Sequence, residues 1–269
     1  MSPTLAPRSA SRMGRLALAA LALVYLSGCG LFGKEEDPTR NWSEQRLYQA
    51  GKSALEGGDY EKAIDFYQKL ETRYPFGPFA QQAQLESSFA YYKTSEPASA
   101  VAAADRFIKL NPQHPNVDYA YYMKGLAQFD QGRGFIDRIS PMDPSQRDPG
   151  SALASFEDFQ ELVQRYPNSR YAKDARQRML YLRNNLARYE LHVANYYMRR
   201  GAFVAAANRA KYVIENYDEA PAVPEALAVM AKAYKVMGLN DLSAVALRVL
   251  ILNFPDDPRI AEVESLQLE

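Results

Sequence analysis

The sequence predicts an all-α protein, a superhelical solenoid of five helix pairs with one loop insertion. Three observations carry this expectation. Apolar runs end at Pro75, Pro112, Pro167 and Pro255, with Tyr217 closing a fourth run between the last two. Seventeen residues before each proline stands a turn former, namely Gly58, Ser95, Gly150 and Gly238. Twelve residues before it stands a small residue, namely Ala63, Ala100, Ser155 and Ser243; Gly201 and Ala206 hold the same places in the fourth run, counted from position 218. Self-similarity at a period of about 20–50 residues is the mark of a stacked repeat architecture.

Each element has a physical reason. A small residue on the second helix of a pair lets the first helix approach to the short end of the usual ~8–10 Å interaxial range. The Gly or Ser before that helix supplies the tight turn between two antiparallel helices, and the proline after it cannot continue the helix. Small residues recur in the first helices as well, at Gly51, Ser88, Gly125 and Ala231. The spans expected for the five pairs are 44–74, 78–111, 115–166, 170–216 and 221–254. The third is longer because 131–149 is inserted, a stretch with the prolines and glycines of a loop. Residues 169–200 contain no proline or glycine, which predicts one long helix, or two nearly continuous ones, between the third and fourth pairs. The first unit, Gly58-Asp59-Tyr60-Glu61-Lys62-Ala63-Ile64 with Tyr67 and Pro75, resembles the tetratricopeptide consensus.

The ends read as an address and a tether. Arg8, Arg12 and Arg15 precede an uncharged run from Leu16 to Leu26. That run is too short to span a bilayer, which needs about 20 residues, and suits the apolar part of a signal peptide. It ends in Leu26-Ser27-Gly28-Cys29, which resembles the lipobox of bacterial lipoproteins. That resemblance implies cleavage after residue 28, acylation of Cys29, and, with Gly30 rather than an aspartate following, outer-membrane destination. Cys29 is the only cysteine, so the fold is expected to form without disulfides. Several acyl chains at about 0.8 kcal/mol per CH₂ anchor stably where one does not. Residues 29–42 are read as a lipidated flexible tether, 43–258 as the solenoid and 259–269 as a C-terminal tail. Removing residues 1–28 takes away three arginines and no acid, so the net charge goes from zero to −3. Such a balance gives no electrostatic reason to bind nucleic acid.

Further residues resemble one family of outer-membrane assembly lipoproteins, the BamD family. They include Arg73-Tyr74-Pro75-Phe76-Gly77-Pro78-Phe79, Ala90-Tyr91-Tyr92-Lys93, Asp105-Arg106-Phe107-Ile108-Lys109-Leu110-Asn111-Pro112 and Arg199-Arg200-Gly201-Ala202-Phe203-Val204-Ala205. The resemblance implies a role in the machinery that folds and inserts β-barrel proteins. Its implied partners are a BamA-like barrel subunit held through the C-terminal repeats, BamC- and BamE-like lipoproteins, and unfolded outer-membrane proteins received by the N-terminal repeats. It implies no cofactor. The residues expected at the barrel subunit are Tyr196, Arg200 and Arg209, the last matching an arginine of the family and suited to a bidentate pair with a carboxylate. Each of them also fits an ordinary ion pair or a solvated surface. Tyr48, Tyr91 and Tyr92 fall on first helices, the inner side expected of such a solenoid, where tyrosine suits recognition of a strand-forming peptide; seam filling between helices is the competing role. Catalysis has little footing. The two histidines, His114 and His192, lack metal-ligand spacing, and no phosphate loop or nucleophile elbow occurs. The second functional reading is another periplasmic tetratricopeptide adaptor, coordinating envelope constriction or peptidoglycan synthesis.

Overall fold

The computed structural model describes residues 37–131, 143, 145 and 148–267. The chain divides into two units, Met1–Ser43 and Glu44–Glu269. The signal peptide 1–28, Cys29 and most of the tether lie outside the described residues, as does most of the 131–149 insertion. In the first unit, Asp37 Oδ1 accepts from the Thr39 amide (2.9 Å) and hydroxyl (2.7 Å), closing a short turn.

The second unit is a solenoid of helix pairs. The pairs are α1 (Glu44–Glu56) with α2 (Tyr60–Arg73), α3 (Pro78–Lys93) with α4 (Pro97–Leu110), and α5 (Val117–Gln131) with α6 (Gly150–Arg165). They continue as α7 (Ala172–Arg199) with α8 (Phe203–Asn216) and α9 (Val223–Val236) with α10 (Asn240–Asn253). The glycine- and proline-free stretch is a single helix of 28 residues. Within the expected C-terminal tail a short α11 (Arg259–Glu264) forms and packs on α9 and α10, burying Val263. Among the described residues every regular element is helical, and no helix is long and apolar enough to cross a membrane.

Local chemistry sets the boundaries. Gly58, Ser95, Gly201 and Gly238 all have left-handed φ, between 62° and 79°. In each turn the next residue's amide reaches back to the last turn of the first helix: Asp59 to Ala54, Glu96 to Tyr91, Ala202 to Tyr197 and Leu239 to Tyr234, at 2.9–3.0 Å. These bonds satisfy carbonyls that a helix end leaves open. Gly150 departs from the set. It is the first residue of α6 and has no left-handed φ, because the insertion and not a tight turn joins α5 to α6. The second helices end alike, on Tyr74, Asn111, Tyr166, Tyr217 and Phe254, each donating its amide four residues back. Tyr217 therefore corresponds to the residue before each proline, and Asp218 stands where the other units carry proline. Pro78, Pro97 and Pro224 sit in first turns, where no amide is missed.

The turn glycines give a clean test of backbone conformation. A Cβ added at Gly238 would meet nothing within 4 Å, so Gly238→Ala carries only the left-handed penalty and is expected to lower stability by about 1 kcal/mol. Ser95→Gly relieves the same penalty and is expected to stabilise slightly. Urea denaturation of the two variants checks both signs.

The core lies in the seams. Between the second, third and fourth pairs it comprises Leu85, Phe107, Val117, Tyr121, Phe129, Phe159, Leu162 and Leu182. Further along it continues through Leu186, Leu191, Val213 and Val229, then Val223, Leu227, Leu250 and Val263. The small residues do what their positions require. A Cβ on Gly51 would fall 2.4 Å from a ring carbon of Tyr67, and one on Gly125 2.6 Å from Phe159. Ser155 and Ser243 add a bond to the facing helix, donating to the carbonyls of Gly125 (2.8 Å) and Ala231 (2.9 Å). Successive first helices also touch one another, α1 with α3, α3 with α5 and α7 with α9.

Candidate protein-binding site

The α7–α8 hairpin presents the residues expected at a barrel subunit. Tyr196 lies in the last turn of α7 and is 48% exposed. The Arg200 guanidinium stands 5.9 Å from that ring's centroid, and Tyr197 meets the ring edge-on at 5.8 Å. Arg200 ends α7, its amide shared between the carbonyls of Tyr196 and Tyr197, and Gly201 turns the chain into α8. Tyr196 and Arg200 thus form one patch. Arg209 sits farther down α8, facing Glu190. Its Nη1 donates to Glu190 Oε2 at 2.9 Å, with the arginine side chain 45% exposed and the glutamate nearly buried. That bond holds the Arg209 guanidinium above its ordinary pKa. At about 1.5 Å per residue, Glu190 and Tyr196 are ~9 Å apart along α7.

The first-helix tyrosines divide into two groups. Tyr48 donates to Glu86 Oε1 (3.2 Å) and its ring packs against those of Tyr67 and Phe79. Tyr92 donates to Asp130 Oδ2. Tyr91, one residue earlier and so turned ~100° around α3, goes elsewhere. Its hydroxyl accepts from Gln68 Nε2 at 2.7 Å, and it lines a cleft with Gln68 and Glu71 of α2 and Arg106 of α4. Tyr48 and Tyr92 belong to a ladder running along the first helices, and Tyr91 faces the second helices.

That ladder is the main feature sequence reasoning missed. A tyrosine on one first helix donates to a carboxylate on the next: Tyr48 to Glu86, Tyr92 to Asp130, and Tyr122 to Asp174 at 2.8 Å. The first two pairs are each 38 residues apart, close to one repeat, and the third spans 52 because the insertion intervenes. Asn195 extends the series from α7 to Glu225 of α9 at 3.0 Å. The available signal was a tyrosine followed one repeat later by an acid.

Burial, followed by the acceptor carboxylate, raises these phenols. Tyr48, Tyr67 and Tyr92 are held well above the ordinary value, and Tyr122 is pushed up to about 12 by burial and Asp174. The consequence for stability has a definite sign. The unfolded chain loses these protons near pH ~10 while the folded one keeps them. Their contribution is complete below that pH and declines as pH rises through the folded values. Urea midpoints are expected to be level to about pH 10 and to fall steeply toward pH 12; a level profile over that window contradicts the ladder.

Both histidines make local contacts. His114 Nδ1 accepts from the Asn116 amide (3.1 Å), and its ring meets Phe107 edge-on. His192 Nε2 lies 2.9 Å from Ser145 Oγ and 3.7 Å from Asp143 Oδ2. This trio is not wired as a nucleophilic triad, in which the acid orients the imidazole through its other nitrogen. Here Asp143 Oδ1 accepts directly from the Ser145 hydroxyl (2.7 Å), and Ser145 is buried. Among the described residues no group of histidine, cysteine and acidic side chains could hold a metal ion.

Residues 40–249 match the family model YfiO, described as an outer membrane lipoprotein. Proteins called "Outer membrane protein assembly factor BamD" are similar over most of their length. The one from Neisseria meningitidis serogroup B is 42% identical over 249 residues, covering 91% of this chain and 93% of that protein. This chain belongs to the BamD family. The relative from Vibrio cholerae serotype O1 is 38% identical over 233 residues, covering 87% and 95% of the two chains. Among solved structures, a thermophilic TPR protein of Thermus thermophilus is 17% identical with a TM-score of 0.37, covering 83% of this chain and 100% of that one. The BamD-family match contains α1 through α9, and so both the tyrosine ladder and the α7–α8 hairpin; Cys29 precedes it.

Proposed function

We propose that this chain is a lipid-anchored scaffold of the outer-membrane β-barrel assembly complex, sitting at the periplasmic face of the outer membrane through acylated Cys29. It binds and positions other proteins and catalyses nothing. The observation that carries this reading is the BamD-family match over residues 40–249, which favours barrel assembly over the coordination of envelope constriction.

In this reading Tyr196, Arg200 and Arg209 meet a BamA-like barrel subunit, and BamC- and BamE-like lipoproteins dock elsewhere on the solenoid. Arg209 is exposed enough to take a second carboxylate while Nη1 stays on Glu190. Tyr48, Tyr91 and Tyr92 serve unfolded outer-membrane proteins. Because the Tyr48 and Tyr92 hydroxyls already donate to Glu86 and Asp130, a bound segment would meet ring faces there. On the other side, Tyr91 would offer its hydroxyl within a polar cleft. The role needs no cofactor and no nucleic acid.

The test is recovery of a β-barrel protein with periplasmic domains from detergent-solubilised outer membranes. A charge-assisted pair contributes about 1.5–3 kcal/mol, so Arg209→Glu is expected to weaken recovery at least about tenfold while the protein stays folded. Glu190→Gln removes the internal partner, leaves the guanidinium, and is expected to retain recovery. Unchanged recovery with Arg209→Glu removes the site. Depletion of the chain that leaves porin levels normal and arrests constriction favours the other adaptor.

A further inference from the structure

Farther toward the start of α7, α6 and α7 enclose a shallow cleft of about 340 Å³ lined by Phe156, Arg176, Met179, Leu180 and Arg183. The four α7 residues follow the spacing of one helix face. Phe156 and Met179 rest against the core and are partly buried, whereas Leu180 is 51% exposed. Leu153, one turn before Phe156 on α6, is also exposed.

Two guanidiniums bound the cleft, and each has unused capacity. Arg176 donates from Nη2 to the main-chain carbonyl of Pro167 at 3.2 Å and has no carboxylate at ion-pair distance among the described residues. Arg183 directs both terminal nitrogens at Glu219, Nη1 to the carboxylate and Nη2 to the carbonyl at 3.3 Å. Its Nε–H is buried without an acceptor among the described residues. The residues thus present an apolar surface beside a guanidinium, that of Arg176, without a carboxylate partner among the described residues.

We propose that this cleft docks an acidic amphipathic helix of a partner protein. A bulky apolar side chain of that helix packs on Phe156, Met179 and Leu180, and a carboxylate one turn away lies between Arg176 and Arg183. Charge complementarity selects an acidic segment. A groove between two antiparallel helices, reaching ~10 Å along α7 from 176 to 183, suits a helix laid apolar face down. The site is distinct from the hairpin patch, since Tyr196 lies ~20 Å farther along α7, and its test does not depend on the barrel-subunit contact.

The full chain, labelled at its methionine methyls, reports on the cleft through Met179, assigned with Met179→Leu. The probe is a synthetic helix of about 20 residues, long enough to hold helical structure in water, with leucine and glutamate repeating at i and i+4. A saturable shift of the Met179 signal is expected, weakened about tenfold or more by Arg176→Glu and by Leu180→Glu, with the remaining methionine signals in place. The same helix with lysine for glutamate is expected to leave Met179 unmoved. An unmoved Met179 with the acidic helix, an equal response to the lysine version, or unchanged affinity in both variants overturns the proposal. So does a Met179 response to phosphatidylglycerol vesicles without one to the peptide, which would make the cleft a lipid site.

Discussion

Glu86→Ala is expected to destabilise the first two helix pairs by about 2–3 kcal/mol, since it leaves the buried Tyr67 hydroxyl without its acceptor and the partly exposed Lys52 without its counter-charge. Glu86 projects from α3 into the seam with α1 and α2 and is itself buried. Its Oε1 accepts from Lys52 Nζ (2.9 Å), Gln82 Nε2 (2.9 Å) and Tyr48, while Oε2 accepts from Tyr67. Tyr67 is fully buried, so without the carboxylate its hydroxyl has lost its acceptor, and Lys52 loses its interhelical counter-charge. Tyr67→Phe removes one donor and leaves the others in place, so its cost should be nearer about 1–2 kcal/mol. Because each pair in a solenoid contacts only its neighbours, the loss should appear first as faster hydrogen exchange across α1 to α3, with α9 and α10 unaffected. A Glu86→Ala protein within about 0.5 kcal/mol of the parent would show that the cluster contributes little.

Gly125→Val is expected to cost about 3 kcal/mol, at the upper end of what overpacking a core does. Any Cβ at this position of α5 falls 2.6 Å from two ring carbons of Phe159, which is itself fully buried. The ring has little freedom to retreat, since Phe129 and Tyr122 pack against it at centroid distances of 6.5 and 6.0 Å. Gly125→Ala gains about 1 kcal/mol of helix propensity against the same clash, and is expected to remain a net loss. Phe159→Leu should relieve that clash. In a double-mutant cycle the pair Gly125→Ala and Phe159→Leu is then less harmful than the sum of the two singles, by at least about 0.5 kcal/mol. Strict additivity would place the strain elsewhere.

These two sites differ in how far the sequence foretold them. Gly125 stood in the repeat pattern with Gly51, Ser88 and Ala231, and the reason given, close helix approach, is the one the packing shows. Glu86 had no such mark. An acid in the middle of α3 reads as a solvated residue, and the arrival of α1 and α2 brings it three further donors beside Gln82 of its own helix. The same holds for Tyr91 and Tyr92. Adjacent in sequence and expected at one surface, they point ~100° apart and end on different partners, Gln68 and Asp130. Arg209 was legible as an arginine suited to a carboxylate, but its nearest carboxylate is Glu190 of its own chain.

The turns at Gly58, Ser95, Gly201 and Gly238 were written in the sequence itself, because a left-handed residue acts within a few positions; the short α11 and the start of α6 at Gly150 were not. Family membership was likewise legible, since it rests on residue identities spread along the solenoid. What the folded molecule alone decided is which side chain answers which. The ladder of tyrosines and carboxylates, the Arg209–Glu190 pair and the arginine-flanked cleft of α6 and α7 join residues that are close only after stacking. Repeat spacing can bring two helices side by side, but the rotation of each about its axis, set by core packing, chooses the groups that touch.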